Sequence, residues 1–287
     1  MKIQCEVEHR NDVTLDIMVQ IRQTAHFNGK YGAPDELLLH SGGPKNDLAQ
    51  RSLLMGPTTR RYIVRQQPRE SEIVHGSPLR GEINLQSNPA PIEISVENWN
   101  EGWTHQEIIQ GADLANGLRQ LAEHLPPHQG EHFQAGGLAG LLTYDMVQHT
   151  EPLRLEHLPE DDSILMILYR ADRWIIHDHM EPIIEIHSAI NNDQWVEEIE
   201  HLLEQGIPIR PAPAPPRARV PATESDALHA EKVRKTQAAI REGVLYQLNY
   251  GRIWAAEIDE PWDVFERLER DNPAPLSAWL HLSLIHI

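Results

Sequence analysis

Apolar and polar positions alternate with a period of two along Val244-Leu245-Tyr246-Gln247-Leu248-Asn249-Tyr250-Gly251-Arg252-Ile253-Trp254. Val244, Tyr246, Leu248, Tyr250 and Trp254 share one side, and Gln247, Asn249 and Gly251 the other. The pattern predicts a strand with one face in a core and one polar face. Shorter runs predict strands at Ile3–Val7, Val13–Ile21, Leu37–Leu39, Arg51–Met55, Arg60–Gln66, Ile92–Val96, Ile164–Tyr169, Trp174–His177, Ile183–His187 and Leu276–Leu280. Tyr62 and Val64 fall on one face of theirs, and Ile183–His187 is expected to form a hairpin with the strand before it. The remainder of residues 66–104 reads mostly as loops.

A helical period appears in four places. Leu114, Leu118, Leu121 and Leu125 stack on one face of Asp113–Leu125, which Pro126-Pro127 stops. Trp195, Ile199, Leu202 and Leu203 mark Trp195–Leu203. Ser225–Arg241 ends at Gly243, a left-handed cap. Pro261 opens a last helix, with Trp262, Phe265 and Leu268 as its buried stripe. From residue 225 the order is helix, strand, helix, strand. The proline-rich stretch from Gly206 to Pro221 can be neither helix nor central strand and reads as a semi-rigid linker. The boundaries are therefore 1–205 for a first domain, 206–223 for the linker and 224–280 for the start of a second, with 281–287 as a tail that continues neither pattern.

Composition narrows the function. Hydrophobic content of 40% and charged content of 24% are those of a soluble globular protein. A formal net charge of -18 argues against a nucleic-acid surface. The longest apolar run, Ile164–Tyr169, is too short to span a bilayer. No signal peptide opens the sequence, and the single cysteine, Cys5, fits a reducing compartment, so a cytoplasmic protein is expected.

Several motifs invite chemistry and have plainer readings. His124, His128 and His132 have helical ligand spacing, but the two prolines fall inside it, so exposed histidines are the better reading. The glycines of Gly136-Gly137-Leu138-Ala139-Gly140-Leu141-Leu142-Thr143-Tyr144-Asp145 lack the spacing of a phosphate-binding loop. They suit a strand packed closely against a neighbouring backbone. His177-Asp178-His179 puts two imidazoles on one strand face. That is either a metal chelate, for which no third ligand is evident, or a strand ending in a polar turn.

Five patches in this order resemble the chorismate-utilising enzymes, specifically the large synthase subunits that form aminodeoxychorismate or anthranilate. They are Leu38-Leu39-His40-Ser41-Gly42, the glycine-rich strand from Gly136, His177-Asp178-His179, Tyr246-Gln247-Leu248-Asn249 and Asn272-Pro273-Ala274-Pro275. His40, Tyr246-Gln247 and Leu276-Ser277 are more similar to the aminodeoxychorismate-forming members. The alternatives are an anthranilate synthase component I and a stand-alone tryptophan-binding or interaction module. The resemblance implies an α+β fold of antiparallel sheets packed on one another with peripheral helices. The helices at 113–125 and 225–241 exclude an all-β sandwich, and regular strand–helix alternation covers only the end of the chain.

The resemblance also implies a bound tryptophan, held by Ser41, Arg51 and Ser52 from one side and by Pro275, Leu276 and Ser277 from the other. It implies chorismate as substrate, with Gln247 and Asn249 on the cavity wall, Mg²⁺ as cofactor, and a glutamine amidotransferase partner supplying ammonia. The family's nucleophilic lysine lies in a Pro-Ile-Lys-Gly-Thr motif that does not occur in these 287 residues, and no lysine follows Lys235. The expectation is a fragment with an incomplete catalytic domain, no catalytic residue and no metal ligand of its own.

Overall fold

Strands of five to nine residues, apolar on both faces where they are central and on one where they are not, dominate the computed structural model. It describes residues 2–6, 13–22, 29–43, 47, 49–67, 90–125, 137–150, 163–181, 183–206, 222–255, 257–258 and 260–282. The chain divides into two units, Met1–Arg210 with Pro273–Ile287, and Pro211–Asn272.

The first unit holds two antiparallel sheets. One joins β1 (Lys2–Glu6), β2 (Glu36–His40), β3 (Arg51–Met55), β9 (Arg173–Asp178), β10 (Ile183–Ser188) and β11 (Ser277–His281) in the order β1-β10-β9-β3-β2-β11. The other joins β4 (Arg60–Gln66), β5 (Ile92–Trp99), β6 (Trp103–Gly111), β7 (Gly137–Leu142) and β8 (Ile164–Ala171) in the order β6-β5-β4-β8-β7. Leu37, Met55, Trp174 and Ile176 from the first sheet form one buried cluster with Ile167, Tyr169 and Ala171 from the second, so the sheets share a core. On the other face of the five-stranded sheet, Val64, Ile92, Ile94 and Leu165 pack with Leu114 and Leu121 of α2 (Leu114–His124). Asp113 caps that helix by accepting the Asn116 N–H at 2.6 Å. The α+β class with outer helices is as expected.

α1 (Val13–Arg22) corrects the strand expected at Val13–Ile21. Its apolar residues do alternate, but Thr14, Asp16 and Met18 between them are buried as well. A helix covered on most of its circumference keeps no polar face, so period-two alternation stops being diagnostic. α3 (Gln194–Glu204) buries Trp195, Ile199 and Leu203 as expected, with Leu202 only partly covered. β6 starts at the end of the 66–104 stretch read mostly as loops and runs on through residues for which no element was expected, and residues 144–149 form a 3-10 turn after β7. Gly140 is confirmed as a close-approach position: a Cβ there would lie 1.9 Å from the Ile167 carbonyl oxygen.

In the second unit α4 (Asp226–Arg241) is capped by Ser225, and Gly243 takes the left-handed conformation at φ 74°. α5 (Pro261–Asp271) begins at its proline. Its buried residues are Trp262, Glu266 and Glu269, and Leu268 is 54% exposed, which corrects the apolar stripe. Glu266 is satisfied within the helix, accepting from the Trp262 indole at 3.1 Å and from Arg270 at 2.8 Å.

Residues 244–254 are not a sheet strand, contrary to expectation. Among the described residues the only ladder contact there is an isolated bridge of Trp254 with Ala222. Val244 is 71% and Tyr246 97% exposed. Alternation specifies which side of a strand is apolar, whereas pairing needs a neighbour with free backbone groups. The proline-rich run at 207–221, His128, His132 and the end of the tail lie outside the described residues.

Candidate functional site

The register of three strands builds the site. β2 and β3 pair with Leu38 opposite Leu54 and Leu39 opposite Leu53, and β11 pairs with β2 so that Ser277 stands opposite His40. The end of β2 and the starts of β11 and β3 thus converge at one rim. An open groove of about 750 Å³ lies there, lined by Leu39, His40, Ser41, Asp47, Arg51, Leu276 and Ser277 among others. That size suits a small organic ligand, for which pockets run ~300–1,000 Å³.

Of the six residues expected around a tryptophan, Ser41, Arg51, Leu276 and Ser277 line the groove. Ser52 is fully buried beneath it. Its hydroxyl oxygen accepts the Ser41 N–H at 3.0 Å and lies 3.1 Å from His40 Nδ1 and 2.6 Å from His179 Nε2. Pro275 is exposed and precedes the lining residues. Its nitrogen is 3.6 Å from where a Cβ on Gly43 would be. Ser41 is fixed twice, because its hydroxyl also donates to the Arg51 carbonyl at 2.7 Å. Asp47, Gln50 and Leu53 are lining residues that sequence reasoning did not single out, and Leu39 and His40 were quoted for the resemblance but not as ligand contacts. The His-Asp-His motif was visible, but the β3–β9 register that places His179 against Ser52 was not.

Electrostatics at the rim centre on Arg51, whose Nε donates to Asp178 at 3.0 Å. Burial pushes the Asp178 carboxyl up, but the Met180 N–H and the Arg51 guanidinium outweigh it and hold the group below the ordinary carboxylate value. Burial, and then the nearby His179, lower His40 to about 4. The groove therefore offers leucine walls, a neutral imidazole, two hydroxyls, a guanidinium and the Asp47 carboxylate.

His177 donates to or accepts from Thr14 Oγ1 at 2.6 Å, and its ring stands 4.4 Å from that of His179. The motif is thus absorbed into hydrogen bonds and an ion pair. Among the described residues no group of three or more His, Cys, Asp or Glu side chains is arranged to hold a metal ion. Gln247 and Asn249 are exposed in the second unit, bonded to each other at 3.3 Å. Among the described residues no helix is long and apolar enough to cross a membrane.

The chain is 32% identical over 181 residues to aminodeoxychorismate synthase component 1 of Salmonella typhimurium, covering 59% of this chain and 36% of that protein. It is 28% identical over 266 residues to the protein of that name from Klebsiella aerogenes, covering 90% of this chain and 50% of that one. Anthranilate synthase of Azospirillum brasilense is 28% identical over 152 residues, 51% of this chain and 20% of that protein. The chain thus spans half or less of the length of these curated relatives. Among solved structures, anthranilate synthase component I from Streptococcus pneumoniae superposes with a TM-score of 0.43 at 17% identity, covering 82% of this chain and 48% of that one. Residues 73–287 match the family model described as chorismate binding enzyme, and at three quarters of its length the chain belongs to that family.

Proposed function

We propose that this chain is part of an aminodeoxychorismate synthase component 1, which aminates chorismate to 4-amino-4-deoxychorismate in the cytoplasm with ammonia from a glutamine amidotransferase partner. The observation that carries the reading is the likeness to the Klebsiella aerogenes protein of that name along 90% of this chain. His40, Tyr246-Gln247 and Leu276-Ser277 support it against the second reading, an anthranilate synthase component I, which the Azospirillum relative favours. The roles proposed for this chain's own residues are those of binding. The groove at Ser41, Arg51, Leu276 and Ser277 takes an amino acid with an aromatic side chain, tryptophan first. Leu39, Leu53 and Leu276 meet the ring, and Arg51 and the serine hydroxyls meet the charged end. Gln247 and Asn249 face chorismate in the whole enzyme.

Two measurements test this. The source reading frame, expressed beyond residue 287 and given chorismate, Mg²⁺ and ammonium, yields aminodeoxychorismate; anthranilate as the product would select the second reading. The 287-residue polypeptide alone gives no turnover under the same conditions, because it contains no lysine after Lys235 to act as the ring nucleophile. Calorimetric titration of that polypeptide with L-tryptophan shows one saturable site, weakened about tenfold in Arg51→Ala by loss of a charge-assisted hydrogen bond. A flat titration would remove tryptophan from the groove.

A further inference from the structure

Beneath the groove, His40 on β2 and His179 just past β9 both aim a ring nitrogen at the hydroxyl of Ser52 on β3. The register makes this row. Ser52 pairs with His177 on β9, and the His179 N–H continues the ladder by donating to Gln50 O at 2.7 Å. Ser52 Oγ also receives the Ser41 N–H. A hydroxyl has one proton and two lone pairs. One lone pair is taken by the Ser41 N–H. The other accepts an N–H from one imidazole, and the hydroxyl proton goes to the bare nitrogen of the other. All four groups are satisfied only when one of the two facing nitrogens, and not both, carries hydrogen.

We propose that the His40–Ser52–His179 row is a proton-sensitive latch, in which a second imidazole proton facing Ser52 Oγ displaces the Ser41 N–H and loosens the groove wall. Three donors then compete for two lone pairs, and the Ser52 proton loses its acceptor. Ser41 is the member with somewhere to go, since it stands at the groove, whereas His40 is buried within β2 and the His179 backbone is held by the Gln50 carbonyl. The device belongs to the ligand-free groove, so it stands whichever ligand the groove takes.

Charged and titratable neighbours come from each element around the row. β9 contributes His177, bonded to Thr14, and Asp178, paired with Arg51 of β3. α1 carries the buried Asp16 two residues from Thr14, β2 carries Glu36, which accepts from the Trp279 indole at 2.7 Å, and Asp47 stands at the groove. Burial pushes the Asp178 carboxyl up, but the Met180 N–H and the Arg51 guanidinium hold it below its ordinary value, so it keeps its charge down to the range in which His40 gains a proton. Burial, and then the nearby His179, keep His40 neutral until about pH 4, and a neutral imidazole can turn its bare nitrogen to Ser52 by choice of tautomer, which leaves the latch closed at neutral pH.

Amide hydrogen exchange of the ¹⁵N-labelled 287-residue chain, followed by NMR from pH 7 to pH 4 and corrected for intrinsic rates, tests the latch. Protection of the Ser41 N–H falls about tenfold relative to Leu38 and Leu54, the size of one lost hydrogen bond. In the double variant His40→Asn, His179→Gln, amides stand near the positions of Nδ1 and Nε2 and do not titrate, so Ser41 protection no longer depends on pH. Retained pH dependence in that variant overturns the proposal, as does an even loss of protection over β2, β3 and β9 in the wild type. Should the variant fail to fold, imidazole nitrogen shifts of the wild type decide. One facing nitrogen protonated at pH 7, with the second protonating as Ser41 is released, supports the latch. Two bare nitrogens, or Ser41 release without imidazole titration, overturns it.

Discussion

Asp193 gives both carboxylate oxygens to Arg173, at 2.6 Å to Nε and 3.0 Å to NH2, and also accepts from the Ser188 hydroxyl at 2.6 Å and the Trp195 N–H at 3.3 Å. Arg173 spends its remaining nitrogen on the Tyr31 and Pro57 carbonyls, each at 2.9 Å. One buried pair thus ties β9 to the start of α3 and to two loops. Burial alone would push the Asp193 carboxyl up, but the Arg173 and Ser188 hydrogen bonds outweigh it and hold it below its ordinary 3.8. A depressed carboxylate stabilises the fold fully above its unfolded value, and the contribution disappears as pH falls through the folded value. Asp193→Asn leaves Arg173 buried without a counter-charge, for which the expected cost is about 3–5 kcal/mol. Urea unfolding at pH 7 measures it. The same variant loses pH dependence only in the window below pH 3.8, and a loss confined to higher pH would assign the effect to another group.

At the scale of elements, β7 depends on having no side chain at Gly140, which pairs with Leu168 of β8. A methyl group there meets the Ile167 carbonyl oxygen well inside contact distance, and that oxygen is backbone that cannot turn away. Gly140→Ala is expected to cost about 3 kcal/mol, at the upper end for overpacking. Hydrogen exchange should show the loss concentrated in β7 and β8; protection lost evenly over both sheets would point to a different cause. This glycine was legible in the sequence because a Gly-rich strand signals close approach. So were β2, β4 and β11, each a short apolar run closed by turn residues, and α2, whose leucines keep a helical period beside a polar face. α1 was not legible, since nearly all of it is buried. Nor was the buried face of α5, where Glu266 and Glu269 take inward positions and Glu266 is satisfied by the Trp262 indole and the Arg270 guanidinium of the same helix. Of the six residues named from short motifs, four line the groove, but Ser52's place under it depends on pairing with β9, more than a hundred residues away in sequence. Motif reading carries no information about such partners.

For the molecule as a whole, the informative surface is the extended segment at 244–254. Its backbone is fixed at one end by Val244 N–H to Ala239 O at 2.9 Å and at the other by Thr223 N–H to Ile253 O at 2.9 Å. Tyr250 and Arg252 anchor it further on Glu224. Between these points Tyr246 and Leu248 stand in solvent on the side that the alternation marks as apolar. A contiguous apolar strip of this kind is uncommon on a free surface and marks a place where a further packing element would sit. Brief chymotrypsin digestion of the 287-residue chain distinguishes the two states. A free strip is cut after Tyr246 well before the enclosed Tyr62, Tyr169, Trp174 and Trp195, because cleavage requires an extended, accessible backbone. The expected early products therefore break at 246–250, as read by mass spectrometry. If Tyr246 resists until Tyr62 and Tyr169 are lost, the strip is covered in solution. Dilution then separates the causes: protection that falls with concentration comes from a second copy, and protection that does not comes from the chain itself.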